Sequence, residues 1–89
     1  MRYYPKLMAS AILQGIYNVG MSLNPSLAEL CVGHASASVT FFFYHEDRTA
    51  LFEQVLGAMM VDGMSSHRRF IEQTDSYTLT YELSVSNAK

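Results

Sequence analysis

Tyr77-Thr78-Leu79-Thr80-Tyr81-Glu82-Leu83-Ser84-Val85-Ser86 decides how this chain is read. Its odd positions are apolar or aromatic, and its even positions carry a hydroxyl or a carboxylate. A side-chain period of two held over the whole stretch is that of a β-strand buried on one face. Just upstream, 67–74 has the length and composition of an antiparallel partner. Asp75-Ser76 between them reads as a two-residue hairpin turn, although it lacks the glycine that favours one. Further back, 36–45 reads as another strand, from its Val and Thr and the run Phe41-Phe42-Phe43-Tyr44.

The remaining segments read as helices. Over 5–19, Pro5 suits the first turn and Gly20 suits the position just past the end. Lys6, Ser10, Gln14 and Asn18 form a polar stripe, so Leu7, Met8, Ala11, Ile12, Ile16 and Val19 are expected on the inner side. Asn24-Pro25 is expected to open a short second helix that ends at Gly33, with Leu27, Leu30 and Cys31 inward. Asp47 is expected to cap a third, over about 48–62, that ends at Gly63. Its inner face would be Leu51, Phe52, Val55, Leu56, Met59 and Met60, with Thr49, Glu53 and Gly57 outward. The predicted order is helix, helix, strand, helix, strand, strand. That is an α+β domain, a three-stranded, mainly antiparallel sheet carrying three helices. Tyr3 and Tyr4 are candidates for a short extra edge strand.

Length and composition set the bounds. The 89 residues make one domain, 1–89, with no room for a second core. The chain is 49% hydrophobic, which excludes a disordered polypeptide. Six Lys and Arg and a net charge of −2 argue against a nucleic-acid partner, which needs a clustered basic face. A single cysteine excludes an internal disulfide. Arg2 and Lys6 ahead of an apolar stretch, with Ala35-Ser36-Ala37 downstream, trace the outline of a secretory signal. Ser10, Gln14 and Asn18 interrupt that stretch, and Pro25 and Glu29 fall in the would-be cleavage region. No apolar run has the ~18 residues of a membrane span. The expected location is cytoplasmic, with Cys31 reduced.

Motifs for chemistry are sparse. There is no phosphate-binding glycine loop and no nucleophile elbow. Cys31-x-x-His34 has a ligand-like spacing but no second pair to close a zinc site, and a buried cysteine beside a surface histidine is the expected arrangement. His45-Glu46-Asp47 gathers three titratable groups at a strand-to-helix junction, where helix capping accounts for them. No catalytic residue, metal or cofactor is expected. Arg68-Arg69 is the only basic pair, and on a strand the two would point to opposite faces.

Two features of the surface stand out. From Leu7 to His45 the only formal charge is Glu29, whereas Glu72, Asp75 and Glu82 follow Phe70 without a base before Lys89. The charge-poor segment 7–45 is therefore expected to supply the interface of a homo-oligomer. Within 36–45, Phe42 and Tyr44 fall on the more polar side of the strand, and exposed neighbouring aromatics mark partner sites. The expected function is a non-enzymatic protein-binding module contacting its partner through Phe42, Tyr44, Glu72, Asp75 and Glu82. Small inhibitors and immunity proteins share this short, acidic, motif-free profile, an analogy of size and charge that points to a basic protein partner. The alternatives are a structural homo-oligomer subunit, or a small-ligand binder or enzyme built on the His45 junction.

Overall fold

The computed structural model describes residues 2–86; the other positions of the domain expected over 1–89 lie outside it. The chain order is β1 (Tyr3–Pro5), α1 (Lys6–Met21), β2 (Leu27–Val32), β3 (Ser36–Phe43), α2 (Glu46–Leu56), β4 (Ser65–Ile71) and β5 (Ser76–Ser86). A 3-10 turn, Gly57–Met59, follows α2. The five strands make one mixed sheet. β5 is its axis. Along one edge β5 pairs antiparallel with β3, from Phe43↔Tyr77 to Ser36↔Ser84. Along the other it pairs antiparallel with β4 through Ser76–Glu82, and then parallel with β1 at Ser84, Val85 and Ser86. β2 forms the far edge, antiparallel to β3.

Among the described residues the fold is therefore α+β, with two helices and five strands rather than three and three. The missing helix is the one expected to open at Asn24-Pro25. Asn24 has φ +59°, a left-handed turn conformation and not that of a helix cap. Beyond it, Ala28, Leu30 and Val32 turn inward against Phe41, Val39 and Ala37, and Leu27, Glu29 and Cys31 turn outward. Pairing with β3 satisfies the backbone of 27–32, which a helix of six residues would leave largely unbonded. The extra strand at Tyr3–Pro5 exists because Tyr4 is buried beside Val85, and its hydroxyl donates to the Asp62 carbonyl at 2.5 Å. The β4–β5 turn spans Glu72 to Asp75, two residues longer than expected, with Asp75 at φ +50°.

Both helices lie on one face of the sheet. Ala9, Leu13, Ile16 and Gly20 of α1 are buried, as are Thr49, Phe52 and Leu56 of α2. They cover Ala37, Val39, Phe41 and Phe43 of β3 and Leu79, Tyr81, Leu83 and Val85 of β5, which form the core. Two helix faces differ from expectation. Leu7, Met8 and Ala11 of α1 are exposed, because the helix presents its 9-13-16-20 stripe to the sheet. Helix α2 starts at Glu46, with His45 and not Asp47 at the cap position, and stops at Leu56. Leu51, Val55 and Met60 are thereby left more than a third exposed. Gly63 has φ +83° and packs on Arg2, where a Cβ would come within 2.9 Å of the arginine's own. Burial pushes the Tyr81 phenol up to about 12, and the nearby Glu53 carboxylate adds to the effect.

Thr49 breaks the pattern of the core. Its side chain was expected outward, yet it is buried and Oγ1 has no hydrogen-bond partner. A hydroxyl taken out of water without a partner is unfavourable, while its apolar isostere is not. Thr49→Val is expected to stabilise the domain by about 1 kcal/mol. Urea unfolding should show a higher midpoint with an unchanged slope; a lower midpoint would mean that the hydroxyl is bonded in solution.

Candidate functional site

With both helices on one face, the other face of the sheet is bare, and the strand registers define its layout. Three rows of side chains cross it from β2 through β3 and β5 to β4. The first is Leu27, Phe42, Thr78 and Arg69; the second is Glu29, Thr40, Thr80 and His67; the third is Cys31, Ser38, Glu82 and Ser65. Residues directly opposite in an antiparallel pair project to the same side, so each row is continuous. The centre is small and hydroxylated. Thr40 and Thr80 hydrogen-bond across the strands, Oγ1 to Oγ1, at 2.9 Å.

Opposite charges sit on the two margins, Glu29 on the β2 edge and Arg69, near the His67 imidazole, on the β4 side, and Glu82 lies between them on β5. Arg68 turns to the helix face, where Nε and Nη2 donate to Glu53 at 3.0 and 2.5 Å. These bonds hold the Glu53 carboxyl below its ordinary range. Arg69, one residue on, has no such ion pair among the described residues and stands free beside Thr78.

Two hollows mark the bare face. A shallow one of about 410 Å³ lies over Thr40, Thr78 and Thr80, with Phe42, Arg69 and Glu82 on its walls. At the end of the sheet next to the β4–β5 turn, a cleft of about 260 Å³ is lined by Leu27, Phe42, Tyr44 and Ile71, with Ser26, Thr74 and Ser76 as its polar rim. The cleft is apolar because β2, β3 and β4 each bring a large side chain to the same end. Arg48 closes the loop beneath it by donating from Nη2 to the carbonyls of Leu23 and Asn24.

The five residues singled out from the sequence do not form one cluster. Phe42 and Tyr44 share the cleft, half-buried and 62% exposed respectively. Glu82 lies on the same face two rows from Phe42, and shares that face with Glu29 of β2 and Arg69 of β4. Glu72 and Asp75 are exposed at the turn beyond the cleft. Leu27, Glu29 and Cys31 also lie on this face, a placement that reading 24–33 as a helix does not give. Their signal was the alternation with Ala28, Leu30 and Val32.

The other candidate chemistry does not assemble. Cys31 is exposed, not buried, because it lies on the outward side of β2. No three His, Cys, Asp or Glu side chains converge on a common point among the described residues. His45 is exposed at the start of α2 and makes no capping bond. No helix among the described residues is long and apolar enough to cross a membrane. No protein-family model, curated protein or solved structure matches this chain. A function must therefore be argued from the site itself.

Proposed function

We propose that this chain is a non-enzymatic protein-docking module that binds through the bare face of its sheet. The observation that carries this reading is the cleft holding Phe42 and Tyr44 beside Leu27 and Ile71, on a face that neither helix covers. Aromatic anchors in a pocket with a polar surround are how interfaces concentrate binding energy. Glu72 and Asp75 next to the cleft favour a partner that is basic at that end, and opposite charge there speeds encounter. This is the arrangement a small inhibitor or immunity-type protein would use. The exposed thiol of Cys31 suits a reducing compartment, so the cytoplasm is the proposed location.

The test is retention by immobilised chain. Tyr44→Ala should weaken capture of a protein that the wild type holds, by about 30-fold on the scale of a single anchor, through faster dissociation. The fold should persist, because Tyr44 is outside the core. Gln14→Ala, on the outer side of α1, should bind like the wild type. Equal retention by Tyr44→Ala, with its circular dichroism unchanged, would remove the cleft from the interface.

A further inference from the structure

We propose that the partner this face fits is a second copy of the chain, packed sheet against sheet about a two-fold axis parallel to the strands and midway between β3 and β5. The proposal rests on the docking role of the bare face and names its occupant. Such an axis leaves each row facing the same row of the other copy, while the strands exchange places: β2 lies over β4, and β3 over β5. Glu29 then faces His67 of the second copy, with Arg69 one row away. Ser38 faces Glu82, and Phe42 faces Thr78, entering the hollow over the threonines. By symmetry each contact occurs twice.

Charge selects this axis over its alternative. A two-fold axis running across the strands would set β2 on β2 and β4 on β4. With that axis at the second row Glu29 would meet its own copy, and Arg69 would lie against the other copy's β4, out of reach of any Glu29. Like charges brought face to face oppose association, so that arrangement is disfavoured. In the proposed one the acidic edge of each sheet covers the basic edge of the other. The small hydroxyls of Ser38, Thr40, Thr78 and Thr80 let two sheets approach to ~10 Å, with their strands within about 30° of parallel. The mixed signs on the face also distinguish it from a surface made only for a basic protein. The interface so defined takes β2 and β3 from the charge-poor segment 7–45, but needs β4 and β5 as well.

Sedimentation and thiol cross-linking test the arrangement on the intact chain. The wild type should sediment as a dimer, twice the 10.0 kDa chain mass, at tens of micromolar. Glu29→Lys should weaken the dimer at least 10-fold, and so should His67→Glu. The double variant Glu29→Lys with His67→Glu should recover most of that loss, which misfolded variants would not do. Ser65→Cys supplies a partner for the native Cys31. Within one chain the two positions are three strand spacings apart, ~14 Å, while across the interface they face each other at the ~10 Å sheet separation, beyond a direct disulfide but within reach of a short bis-maleimide. Cross-linking with that reagent should therefore give a covalent dimer on a denaturing gel that is lost when Cys31→Ser is added. A wild type that stays monomeric at 100 μM overturns the proposal, and the docking role is then judged by the Tyr44→Ala capture alone. A dimer that neither charge reversal weakens and Ser65→Cys does not trap also overturns it, because the copies then meet through another surface.

Discussion

Phe52→Ala should lower the unfolding free energy by about 3–5 kcal/mol, the usual loss for a large aromatic removed from a core. A domain of this length has only about 4–13 kcal/mol in total, so the variant should be partly or largely unfolded at 37 °C. The reason is position. Phe52 is completely buried and is the side chain through which α2 grips the sheet. Its ring lies 4.4 Å from that of Phe43, nearly edge-on, and 5.3 Å from that of Phe41. The guanidinium of Arg48 stands 5.8 Å from its centroid on the other side, so losing the ring also loosens the arginine that ties down the loop at Leu23 and Asn24. A small helix on one face of a sheet has no second layer to collapse into the hole. Urea titration by fluorescence and circular dichroism would measure the loss. A change below about 1.5 kcal/mol would mean that α2 repacks and that the aromatic trio is less rigid than its geometry indicates.

The second large effect comes from adding a single methyl group. Gly20→Ala should destabilise the domain by about 2–3 kcal/mol, the range expected for overpacking. Alanine normally favours a helix by about 1 kcal/mol over glycine, so the sign is opposite to the propensity rule. At Gly20 a Cβ would lie 2.2 and 2.3 Å from two ring carbons of Phe41, inside any tolerable contact. The ring is fully buried against Phe52 and has nowhere to turn. Helix α1 would have to lift away from β3. Gly15 makes the comparison clean. A Cβ there meets only the terminal methyl of Met59 at 3.6 Å, so Gly15→Ala should stabilise. Opposite signs at two glycines of one helix, read from thermal midpoints, would separate close packing from propensity. Equal signs would contradict the contact with Phe41.

These two residues also show what the sequence could and could not reveal. Strand β5 was legible because its alternation runs through the whole element and no other structure has that period. In β3 the parity put Phe42 and Tyr44 together on the more polar side, but the run Phe41-Phe42-Phe43 blurs the alternation, and whether helices cover that side too was not legible. Strand β2 was not. In a stretch as short as 27–32, Leu27, Leu30 and Cys31 fit a helical spacing as well as Ala28, Leu30 and Val32 fit a strand. Asn24-Pro25 tipped the balance toward a helix. The partner that decides between them, β3, is a tertiary fact. Gly20 was misread on a related ground. A glycine near the end of a helical pattern suggests a terminus, whereas here the missing side chain accommodates a ring from another element. The charges on the bare face were half visible. Glu82 could be placed by parity, but the expected two-residue turn would set Arg69 opposite it, whereas the longer turn at Glu72–Asp75 keeps Arg69 and His67 on that face and moves them opposite Thr78 and Thr80.

The position of β5 has a consequence for how the domain comes into being. It is the last strand in the chain order, yet it is hydrogen-bonded to three of the other four. During synthesis β1 emerges early and must wait for some eighty residues before Ser84 and Val85 exist to receive it. Until then Tyr4, Phe41 and Phe43 lack part of the surface that buries them, and of the sheet's pairings only that of β2 with β3 can form. The aromatic residues of β1 and β3 therefore stay incompletely covered until β5 is made, and the sheet closes in one step. Long-range pairings of this kind fold slowly and leave sticky intermediates open to capture. Before β5 is added the chain is an open β2–β3 hairpin with two helices rather than a half-built sheet.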